Sequence, residues 1–579
     1  MNNKEVATVF LRIADALEIK GENVFKIRAY RRAAQNVADL SRQVEDIYKE
    51  NPSKLNDIPG IGKDLKEKIV EMIQVSRLKY YDDLMKEFPE GFLELLNISG
   101  LGPKKLKKLK DELAINNVDD LEKACKKGEL SRIEGMGEKT GQKLLSAIQY
   151  FREKQGRFLL PEAEDFADRI VEYLKKSGNF KKIEIAGSLR RGRETIKDVD
   201  ILAVAKSAEK AMDYFVSFPS VKNVIAKGPT KSSIVIKEGA QIDLRIVDEA
   251  SFGAALVYFT GSKAHNIKIR KIAKEKNYKV NEYGVFAVNY LKNKETKVAG
   301  KTEDGVYRKL GMEWCAPELR EDQGEVEAAL GGALPRNLIQ LKDIKGDLHS
   351  HTTETDGSRT IKEMVLAAKR KGYRYFAVTD HSKNVRIANG MDEKRLLKHI
   401  ENIKKTARTI KGVKVLTGVE VDILEDGKLD IEDYVLKELD IVIAAVHSKF
   451  GLDKEKQTNR ILRAMDNKYV NILAHPSGRL ITTRKPIQAD FDKIFLRAVE
   501  NNICLEINTH GERIDLNDLH CRRAKEFGAK FAINTDAHDA FELDEIKYGV
   551  VTARRAWLEK KDVINTYAVD KLTRTLKRG

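Results

Sequence analysis

Two aspartates, Asp198 and Asp200, are the residues of this sequence whose type and spacing most directly suggest chemistry. They stand at positions i and i+2 of an apolar run, so on a β-strand both carboxylates would point to one face. A third carboxylate, Asp243, lies in a second short run with strand character. Adjacent carboxylates repel each other unless a cation lies between them, and hard oxygen ligands favour Mg²⁺ or Mn²⁺. The three aspartates therefore predict a two-metal site for phosphoryl transfer.

A Gly-Ser turn precedes these aspartates. Gly187 and Ser188 are followed by Arg190 and Arg191, and Asp198 stands ten residues after the serine. Glycine lets a backbone turn approach phosphate oxygens closely, and arginine supplies forked donors to such oxygens. We therefore expect the turn and the aspartates to act together on a phosphate-bearing substrate.

Histidines form a second group with metal-binding chemistry. The sequence has 10 histidines, nine of which lie beyond residue 340, and most end a short apolar run, as His381, His447 and His475 do. One histidine at a strand end is usually a hydrogen-bonded core residue. A series of them at the strand ends of a parallel α/β barrel would instead meet at one mouth. Imidazoles and carboxylates gathered there predict a metal centre.

Composition and charge limit the class of protein. The 579 residues are enough for several domains, and a net charge of +17 favours a polyanionic partner. A lysine-rich surface that only maintains solubility is the alternative explanation of this charge. We find no apolar run long enough to span a bilayer and no secretory signal pattern, so we expect a cytoplasmic protein without membrane association. Four scattered cysteines without a Cys-x-x-Cys pair disfavour disulfides and a zinc–thiolate site.

One short pattern occurs three times in the first 150 residues. Each copy has an apolar residue, a Gly-x-Gly triplet and a lysine-bearing helical segment. The glycines are Gly60 and Gly62, Gly100 and Gly102, and Gly135 and Gly137. Glycines permit a tight turn, and the first N–H groups of the next helix can bind an anion. A single copy could merely connect two helices, but three copies resemble helix-hairpin-helix modules, which hold a DNA phosphate without reading bases.

Hydrophobic periodicity predicts the elements that position these groups. Amphipathic helices are expected at Val6 to Leu17, Leu160 to Gly178 and Ile361 to Lys371. A strand is expected at Lys182 to Ala186, directly before the Gly-Ser turn.

The chain up to residue 316 resembles family X DNA polymerases through ordered, spaced motifs. Ser188 and Arg191 match the residues that hold the incoming triphosphate, and the three aspartates match the metal-binding carboxylates. The resemblance implies two Mg²⁺ or Mn²⁺ ions and in-line attack of a primer 3′-OH on the α-phosphate of a dNTP. It also implies that Asp243 accepts the hydroxyl proton.

Residues further along complete this match. Tyr258 and Phe259 match the pair beside the sugar, where an aromatic wall excludes a ribose 2′-hydroxyl. Asn266 matches a minor-groove contact to the nucleotide, and Arg270 matches a contact to the template strand. The resemblance thus implies a nucleotide site formed by Gly187, Ser188, Arg191, Tyr258, Phe259, Gly261 and Asn266.

The N-terminal match to this family is less regular. Lys68 falls where the family has its Schiff-base lysine and is our candidate lyase residue, and Lys26 and Tyr30 fit the pocket for a 5′-phosphate. However, Asp64 stands where a phosphate-binding lysine is expected, and Asn56 replaces another. A carboxylate at that position disfavours a 5′-phosphate and does not help a lysine become nucleophilic. An exposed helix lysine is the alternative interpretation of Lys68.

The C-terminal part resembles the PHP (polymerase and histidinol phosphatase) phosphoesterase domain. The resemblance implies up to three divalent ions, and a histidine-rich ligand set suits Mn²⁺, Zn²⁺ or Fe²⁺ better than Mg²⁺. The positions that match the metal ligands are His349, His351, Asp356, His381, Glu420, His447, His475, Asp536 and His538. Arg479 is a candidate phosphate clamp, whereas we expect His399, His510 and His520 to be surface residues.

The two resemblances imply a multidomain protein of mixed α/β and α+β class, with a helical N-terminal region, a nucleotidyltransferase palm and thumb, and a distorted (β/α) barrel of PHP type. We predict a helical domain with one helix-hairpin-helix motif at 1–78, a fingers-like domain with two such motifs at 79–150, the palm at 151–247, the thumb at 248–316, a linker at 317–340 and the barrel at 341–579.

This architecture implies a prokaryotic, nucleoid-associated repair enzyme. It would fill short gaps as a monomer, acting on gapped or nicked DNA and dNTPs, alone or with other DNA-repair proteins. The barrel would add 3′→5′ exonuclease activity, and abasic-site cleavage or 3′-end processing.

Three alternatives remain: a nucleotidyltransferase acting on RNA, a hydrolase of small phosphomonoesters, and a non-catalytic DNA-bound scaffold. The three glycine repeats and Tyr258-Phe259 argue against the first of these. The fused DNA-binding half argues against the second, and the intact ligand sets argue against the third.

Overall fold

The computed structural model describes residues 3–577 except 39–43, 59, 76, 90, 99, 155, 290, 292 and 293. Pro59 and Ser99, inside the first two glycine repeats, therefore lie outside the described residues. The chain forms two compact units, Met1–Gln155 with Thr482–Lys485, and Gly156–Ile481 with Pro486–Gly579. No helix in the described part of the chain is both long enough and apolar enough to cross a membrane.

The first unit is helical and repeats one arrangement. Its helices are α1 (Asn3–Lys20), α2 (Val24–Ala38), α3 (Val44–Glu50), α4 (Lys63–Val75), α5 (Lys79–Met85), α6 (Pro103–Leu113), α7 (Val118–Lys126) and α8 (Glu138–Lys154). In each of the pairs α3–α4, α5–α6 and α7–α8, a short 3₁₀ helix and a Gly-x-Gly triplet join the two helices. The amphipathic helix predicted at 6–17 is confirmed within α1, where Phe10, Ile13 and Leu17 are buried.

The second unit begins with a mixed sheet. Its elements are β1 (Phe158–Leu159), α9 (Leu160–Lys176), β2 (Phe180–Ile185), α10 (Gly187–Arg190), β3 (Thr195–Ile196), β4 (Asp198–Ala205), α11 (Ala208–Val216), β5 (Val221–Lys227), β6 (Lys231–Ile236) and β7 (Gln241–Ile246). Five strands pair in the order β2-β4-β7-β6-β5, and β4 and β7 are parallel. The predicted helix α9 and strand β2 are confirmed, with ends within two residues of the prediction.

A smaller layer of helices and strands follows this sheet. It contains α12 (Phe252–Thr260), α13 (Lys263–Glu275), β8 (Tyr278–Asn281), β9 (Gly284–Asn289), β10 (Lys294–Ala299), α14 (Glu303–Lys309) and α15 (Glu325–Gly331). The three strands form an antiparallel sheet in the order β10-β9-β8. Val257, Ile269 and Val306 bring α12, α13 and α14 into one buried apolar cluster.

Residues 341–577, all of which the structure describes, form a nearly closed parallel barrel. Its elements are β11 (Gly346–Asp347), α16 (Ile361–Arg370), β12 (Tyr375–Val378), α17 (Glu393–Thr409), β13 (Lys414–Asp422), α18 (Asp433–Leu436), β14 (Ile441–Ala445), α19 (Lys454–Met465), β15 (Ile472–Leu473), α20 (Phe491–Glu500), β16 (Cys504–Asn508), α21 (Asp518–Phe527), β17 (Phe531–Asn534), α22 (Ile546–Arg555) and α23 (Val569–Leu576). The seven strands pair in chain order, and a parallel bridge between Ser350 and Ala537 joins the first strand to the last. The predicted alternation of strands and helices is confirmed.

Candidate active sites

Three aspartates lie on one face of two adjacent parallel strands. Asp198 and Asp200 occupy β4, and Asp243 in β7 pairs directly with Asp200 across the ladder. Val199 and Ile201 alternate with them and are each 1% exposed, because they point into the core on the opposite face. The structure thus brings together the three carboxylates that the sequence assigned to one metal site.

The pKa values of Asp200 and Asp243 are shifted in opposite directions. Burial, together with the charges of Asp198 and Asp243, raises the pKa of Asp200 to about 6. Burial would also raise the pKa of Asp243, but hydrogen bonds, led by that from Lys231, lower it. Nζ of Lys231, a residue not predicted from the sequence to belong to this site, lies 2.7 Å from Oδ2 of Asp243. The ammonium group of Lys231 thus lies beside one of the three carboxylates, and divalent ions would relieve the repulsion that remains among them.

The Gly-Ser turn lies directly against these carboxylates. Strand β2 ends at Ile185, and Gly187 and Ser188 begin the short helix α10. Gly187 has a φ of 63°, and an added Cβ there would overlap the carboxylate of Asp200. Only glycine therefore permits this close approach of the turn to the aspartates.

The two arginines of the turn have different partners. Arg190 donates to both carboxylate oxygens of Glu303, over 2.7 and 2.9 Å. Arg191 donates through Nε to Glu321 and through Nη1 to the carbonyl of Thr260, over 3.0 and 2.5 Å. Within the described residues, Nη2 of Arg191 makes no hydrogen bond, so this edge of the guanidinium is available to an anion.

The remaining residues of the predicted nucleotide site surround the end of α12. The rings of Tyr258 and Phe259 meet edge to face with centroids 5.1 Å apart. Gly261 ends α12 with a φ of 71°, and Nδ2 of Asn266 donates to the carbonyl of Tyr258 over 2.7 Å. Arg270 is exposed on α13, as a residue that contacts DNA must be.

A second site lies at the carboxyl ends of the barrel strands. Eight of the nine predicted ligands form three overlapping groups, and within each group the ligand atoms lie within 4.8 Å of one another. The groups are His349, His351, Glu420 and Asp536; His351, Asp356, His381 and His538; and His381, Glu420 and His447. The ninth, His475, has Nε2 2.9 Å from Oε1 of Glu420. The groups share ligands, so the arrangement could hold several cations side by side.

Some ligand atoms of this cluster are buried and unpaired. Nδ1 of His351 and Nδ1 of His475 make no hydrogen bond within the described residues. Leaving buried polar atoms unpaired is costly unless a cation takes their lone pairs. His475 and Asp536 also adopt positive φ values of 27° and 56°, an uncommon conformation that is concentrated at functional sites. The residues present therefore fit a multinuclear metal centre.

The carboxylates of the cluster create a strongly negative field. Burial would lower the pKa of His381, but Glu420 and Asp356 raise it to about 10. Burial acts in the same way on His538, and Asp356 leads the groups that raise its pKa to about 9. His351 differs, because burial and the neighbouring imidazoles lower its pKa to about 4. Cations are favoured at this mouth because its carboxylates are buried together.

Carboxylates behind the ligands fix the orientation of the imidazoles. Oε1 of Glu506 lies 2.8 Å from Nδ1 of His349, and Oε2 accepts the backbone N–H of His475 over 2.8 Å. Oδ1 of Asp422 lies 3.2 Å from Nδ1 of His447. A carboxylate only accepts, so these contacts leave Nε2 of the neutral rings free for a metal. Glu506 is not among the ligands predicted from the sequence, although its place on β16, among strands that end in ligands, is a usable signal.

Replacement of Glu506 by glutamine is expected to weaken metal binding by about 10- to 100-fold, since a metal-binding histidine loses the partner that orients it. Titration of the metal-free protein with Mn²⁺ measures this change in affinity. Glu512→Gln, at an exposed position, is the control. Equal Mn²⁺ affinities for Glu506→Gln and the wild type would show that the carboxylate does not orient His349.

The prediction that His399 is exposed is wrong. His399 is 1% exposed, and its Nε2 lies 2.9 Å from Oδ2 of Asp380. It belongs to the buried face of α17, where Leu396, Ile400 and Ile403 are also buried at helical spacing. A histidine in the middle of such an apolar stripe is a core residue.

His510, His520 and Arg479 also lie outside the ligand set, and none of the three is fully exposed. His510 and His520 are half-buried, and His520 stacks on Phe491 with ring centroids 4.4 Å apart. Arg479 is 6% exposed, and its Nη2 lies 2.7 Å from the carboxylate of Glu194. Its guanidinium also donates to two backbone carbonyls, so the prediction that Arg479 clamps a phosphate is not supported.

The glycine repeats of the first unit have a shared geometry. The first glycines, Gly60, Gly100 and Gly135, have φ values of 77°, 91° and 83°. At the second glycines, Gly62, Gly102 and Gly137, an added Cβ would meet no atom within 4 Å. The first glycine is therefore required by the turn, whereas no packing within the described residues requires the second.

The candidate lyase residue is not free in the structure. Nζ of Lys68 is in contact with the carboxylate of Asp64 and lies 5.1 Å from the ring centroid of Tyr80. Its side chain is 14% exposed, which also contradicts the alternative of an exposed lysine. Lys26 is exposed, but Tyr30 is 2% exposed and stacks on Tyr80, so a direct contact between Tyr30 and DNA is not supported.

Comparison with known proteins agrees with this arrangement. Two family models match the first unit: a helix-hairpin-helix domain matches residues 1–78, and a SAM-like helix-hairpin-helix tandem matches residues 92–149. Two more match the second unit: the DNA polymerase beta thumb matches residues 255–321, and the PHP domain matches residues 347–510. The DNA polymerase/3′-5′ exonuclease PolX of Bacillus subtilis is 38% identical over 581 residues, which cover 100% of both chains. The chain belongs to DNA polymerase family X. The predicted family and fold class are thereby confirmed.

The barrel of this family X protein also resembles separate proteins. A probable phosphatase of Thermoanaerobacter sp. is 33% identical over 231 residues, which cover 38% of this chain and 89% of the phosphatase. A probable phosphatase of Caldanaerobacter subterraneus is 30% identical over 243 residues, which cover 40% of this chain and 90% of the phosphatase. Relatives that consist almost entirely of the barrel show that this fold also exists without a polymerase part.

Proposed function

We propose that this family X protein is a DNA-directed DNA polymerase that fills short gaps during DNA repair and removes nucleotides from 3′ ends with its barrel. The observation that carries the proposal is the presence of two separate ligand sets. One is the aspartate group beside the Gly-Ser turn, and the other is the histidine-rich cluster at the barrel mouth. The full-length likeness to a bacterial DNA polymerase/3′-5′ exonuclease supports both parts.

At the first site, two Mg²⁺ or Mn²⁺ ions would activate the primer 3′-OH and neutralise the triphosphate. Ser188 and Arg191 bind the triphosphate, and the edge of Tyr258 and Phe259 excludes a ribose 2′-hydroxyl. Asp243 takes the proton of the attacking hydroxyl, because its hydrogen bond from Lys231 keeps it ionised and able to accept a proton.

At the second site, up to three Mn²⁺, Zn²⁺ or Fe²⁺ ions would activate water and stabilise the phosphate under attack. Glu420 lies at the centre, because it belongs to two of the three groups and its two oxygens lie beside different imidazoles, those of His381 and His475. Glu506 and Asp422 hold the rings of His349 and His447 in the orientation that metal binding requires. Cleavage at abasic sites and cleaning of 3′ ends use the same hydrolytic chemistry and belong to the same proposal.

The wider assignments belong to the proposal as well. We assign a helix-hairpin-helix domain to 1–78, fingers to 79–150, a palm to 151–247, a thumb to 248–316, a linker to 317–340 and the PHP barrel to 341–579. The protein would act as a monomer in the prokaryotic cytoplasm, on gapped or nicked DNA and with other repair proteins. Lyase activity at Lys68 would require its contact with Asp64 to open.

The Gly-x-Gly turns would hold DNA phosphates, and Gly102→Ala is expected to show this. Gly102 has an ordinary φ of −98°, and a Cβ there meets nothing in the described residues, so the thermal midpoint should not change. The affinity for duplex DNA should fall by about fivefold or more, which is the change expected when roughly one hydrogen bond to a phosphate is lost. Fluorescence anisotropy with gapped DNA measures the affinity.

Gly141→Ala is the matched control for this change. Gly141 also has open space where a Cβ would stand, but it lies inside α8 and outside the Gly-x-Gly triplets. Equal DNA affinities for Gly102→Ala and Gly141→Ala would contradict the proposed contact between the second turn and DNA.

The test of the main proposal uses a 5′-labelled primer on a one-nucleotide gap with a downstream 5′-phosphate and Mn²⁺. We expect extension by one nucleotide with dNTP, little extension with NTP, and shortening of the primer without either. Extension with NTP at the same rate would favour the alternative of a nucleotidyltransferase that acts on RNA. The absence of both reactions would make the DNA-bound scaffold the better explanation.

A second function is favoured by the likeness of the barrel to probable phosphatases. We propose hydrolysis of phosphomonoesters, including a phosphate at a DNA 3′ end, as this candidate. Release of inorganic phosphate from p-nitrophenyl phosphate and from a 3′-phosphorylated primer separates it from the exonuclease. Phosphate release without shortening of a 3′-hydroxyl primer would replace the exonuclease assignment.

A further inference from the structure

A helix of the barrel contacts the turn assigned to the triphosphate. Helix α22 ends at Arg555, which is 5% exposed, and its Nη1 donates to the backbone carbonyl of Arg191 over 2.7 Å. Gly192, the next residue of the turn, has a φ of 63°, and an added Cβ would overlap the side chain of Val551 on the same helix. The turn therefore lies directly against the barrel.

Glu321 connects the two arginines. One of its oxygens, Oε1, lies 3.0 Å from Nε of Arg191 and 3.1 Å from Nη1 of Arg555. Asp518 on α21 pairs with the other side of Arg555 over 2.6 Å. Charges thus alternate along Arg191, Glu321, Arg555 and Asp518, and each side chain is at most 18% exposed. Buried charged groups held in this way keep one geometry, because breaking a single pair leaves a charge uncompensated.

The contacts of Arg191 leave one nitrogen of its guanidinium without a partner in the described residues. Nε is bound by Glu321, Nη1 is bound by the carbonyl of Thr260, and Nη2 has no partner in the described residues. Because a guanidinium group is planar, hydrogen bonds to two of its nitrogens also fix the position of the third. Arg190, by contrast, is committed to Glu303 through both Nη1 and Nη2.

We propose that Glu321 and Arg555 are positioning residues of the polymerase site, so that the PHP barrel supplies part of the geometry with which Arg191 binds the dNTP triphosphate. This inference rests on the proposed function of Arg191. Arg555 holds Glu321 and the backbone of Arg191, and Glu321 fixes the guanidinium edge that remains for the nucleotide. Neither residue needs to touch the substrate, and neither belongs to the metal cluster of the barrel.

The test compares steady-state gap filling by Glu321→Gln, Arg555→Ala and Arg191→Ala, with exonuclease activity measured on the same preparations. Glu321→Gln and Arg555→Ala are expected to raise KM for dNTP by about tenfold, the scale of one charge-assisted hydrogen bond, while kcat changes less than about threefold. The inhibition constant of pyrophosphate should rise by the same factor, and exonuclease activity should not change. Arg554→Ala is the matched control, because this neighbour pairs with Glu318 and has no contact with Arg191 in the described residues.

Three outcomes would overturn the inference. An unchanged KM in Glu321→Gln and Arg555→Ala, with a raised KM in Arg191→Ala, would refute only the positioning role. A lower KM in Glu321→Gln would show that the carboxylate competes with the triphosphate instead of orienting its arginine. An unchanged KM in Arg191→Ala would refute the assignment of Arg191, and this inference with it. If Arg555→Ala is too unstable to assay, the nearly isosteric Glu321→Gln decides.

Discussion

Replacement of Asp198 and Asp200 by alanine is expected to abolish primer extension while primer shortening continues at the wild-type rate. The two carboxylates share one face of β4, and Asp200 pairs with Asp243 on β7. Removing two of the three leaves no site for paired cations, whose stabilisation of phosphoryl transfer is worth several kcal/mol. Each 1.36 kcal/mol is a factor of ten in rate, so extension should fall by about a thousandfold or more. Single-turnover extension of a labelled primer on a one-nucleotide gap measures the loss.

A matched control for this double variant is Asp213→Ala. Asp213 lies on α11 of the same sheet layer and pairs with Lys227 at the surface, away from the aspartate group. It should extend the primer normally. Normal extension by Asp198→Ala/Asp200→Ala would refute the assignment of the palm site. A parallel loss of primer shortening would show that the two activities are not carried by separate ligand sets.

Replacement of Glu420 by glutamine is expected to lower the rate of 3′→5′ primer shortening by about a hundredfold or more and to leave primer extension unchanged. Oε1 of Glu420 lies 2.9 Å from Nε2 of His475, and Oε2 lies 2.8 Å from Nδ1 of His381. Glutamine keeps the size but loses the charge, and it presents an N–H₂ donor where two cations would otherwise share a carboxylate. Degradation of a labelled 3′-hydroxyl primer without dNTP measures the loss, and metal content per chain should fall with it.

The control for this variant is Glu425→Gln, five residues further along. Glu425 is exposed and pairs with Lys449 over 3.0 Å, so its neutralisation should not change the cluster. If Glu420→Gln shortened the primer as fast as Glu425→Gln, the histidine-rich cluster would not be the nuclease. The phosphatase alternative predicts instead that both variants lack shortening while only Glu425→Gln releases phosphate from p-nitrophenyl phosphate.

Local patterns predicted the secondary structure well where one face of an element is buried. The apolar spacing at 160–178 and 361–371 predicted helices that the structure has at Leu160–Lys176 and Ile361–Arg370. The i, i+2 spacing of Asp198 and Asp200 predicted their common face on a strand, because side chains alternate strictly along β-structure. His399 is an exception, because a polar residue on a helix is usually exposed, whereas its position in the apolar stripe of α17 buries it.

The ligand types, the family and the division into helical, mixed-sheet and barrel parts can be predicted from the sequence, because they follow from residue chemistry, spacing and repeats. The tertiary structure specifies which strands pair and therefore that Asp243 lies opposite Asp200. It also specifies that Glu506 orients His349 and that Arg479 pairs with Glu194. The connection of Arg191 to Arg555 joins residues 364 positions apart. Such contacts depend on how distant elements pack, and no local spacing in a chain encodes that packing.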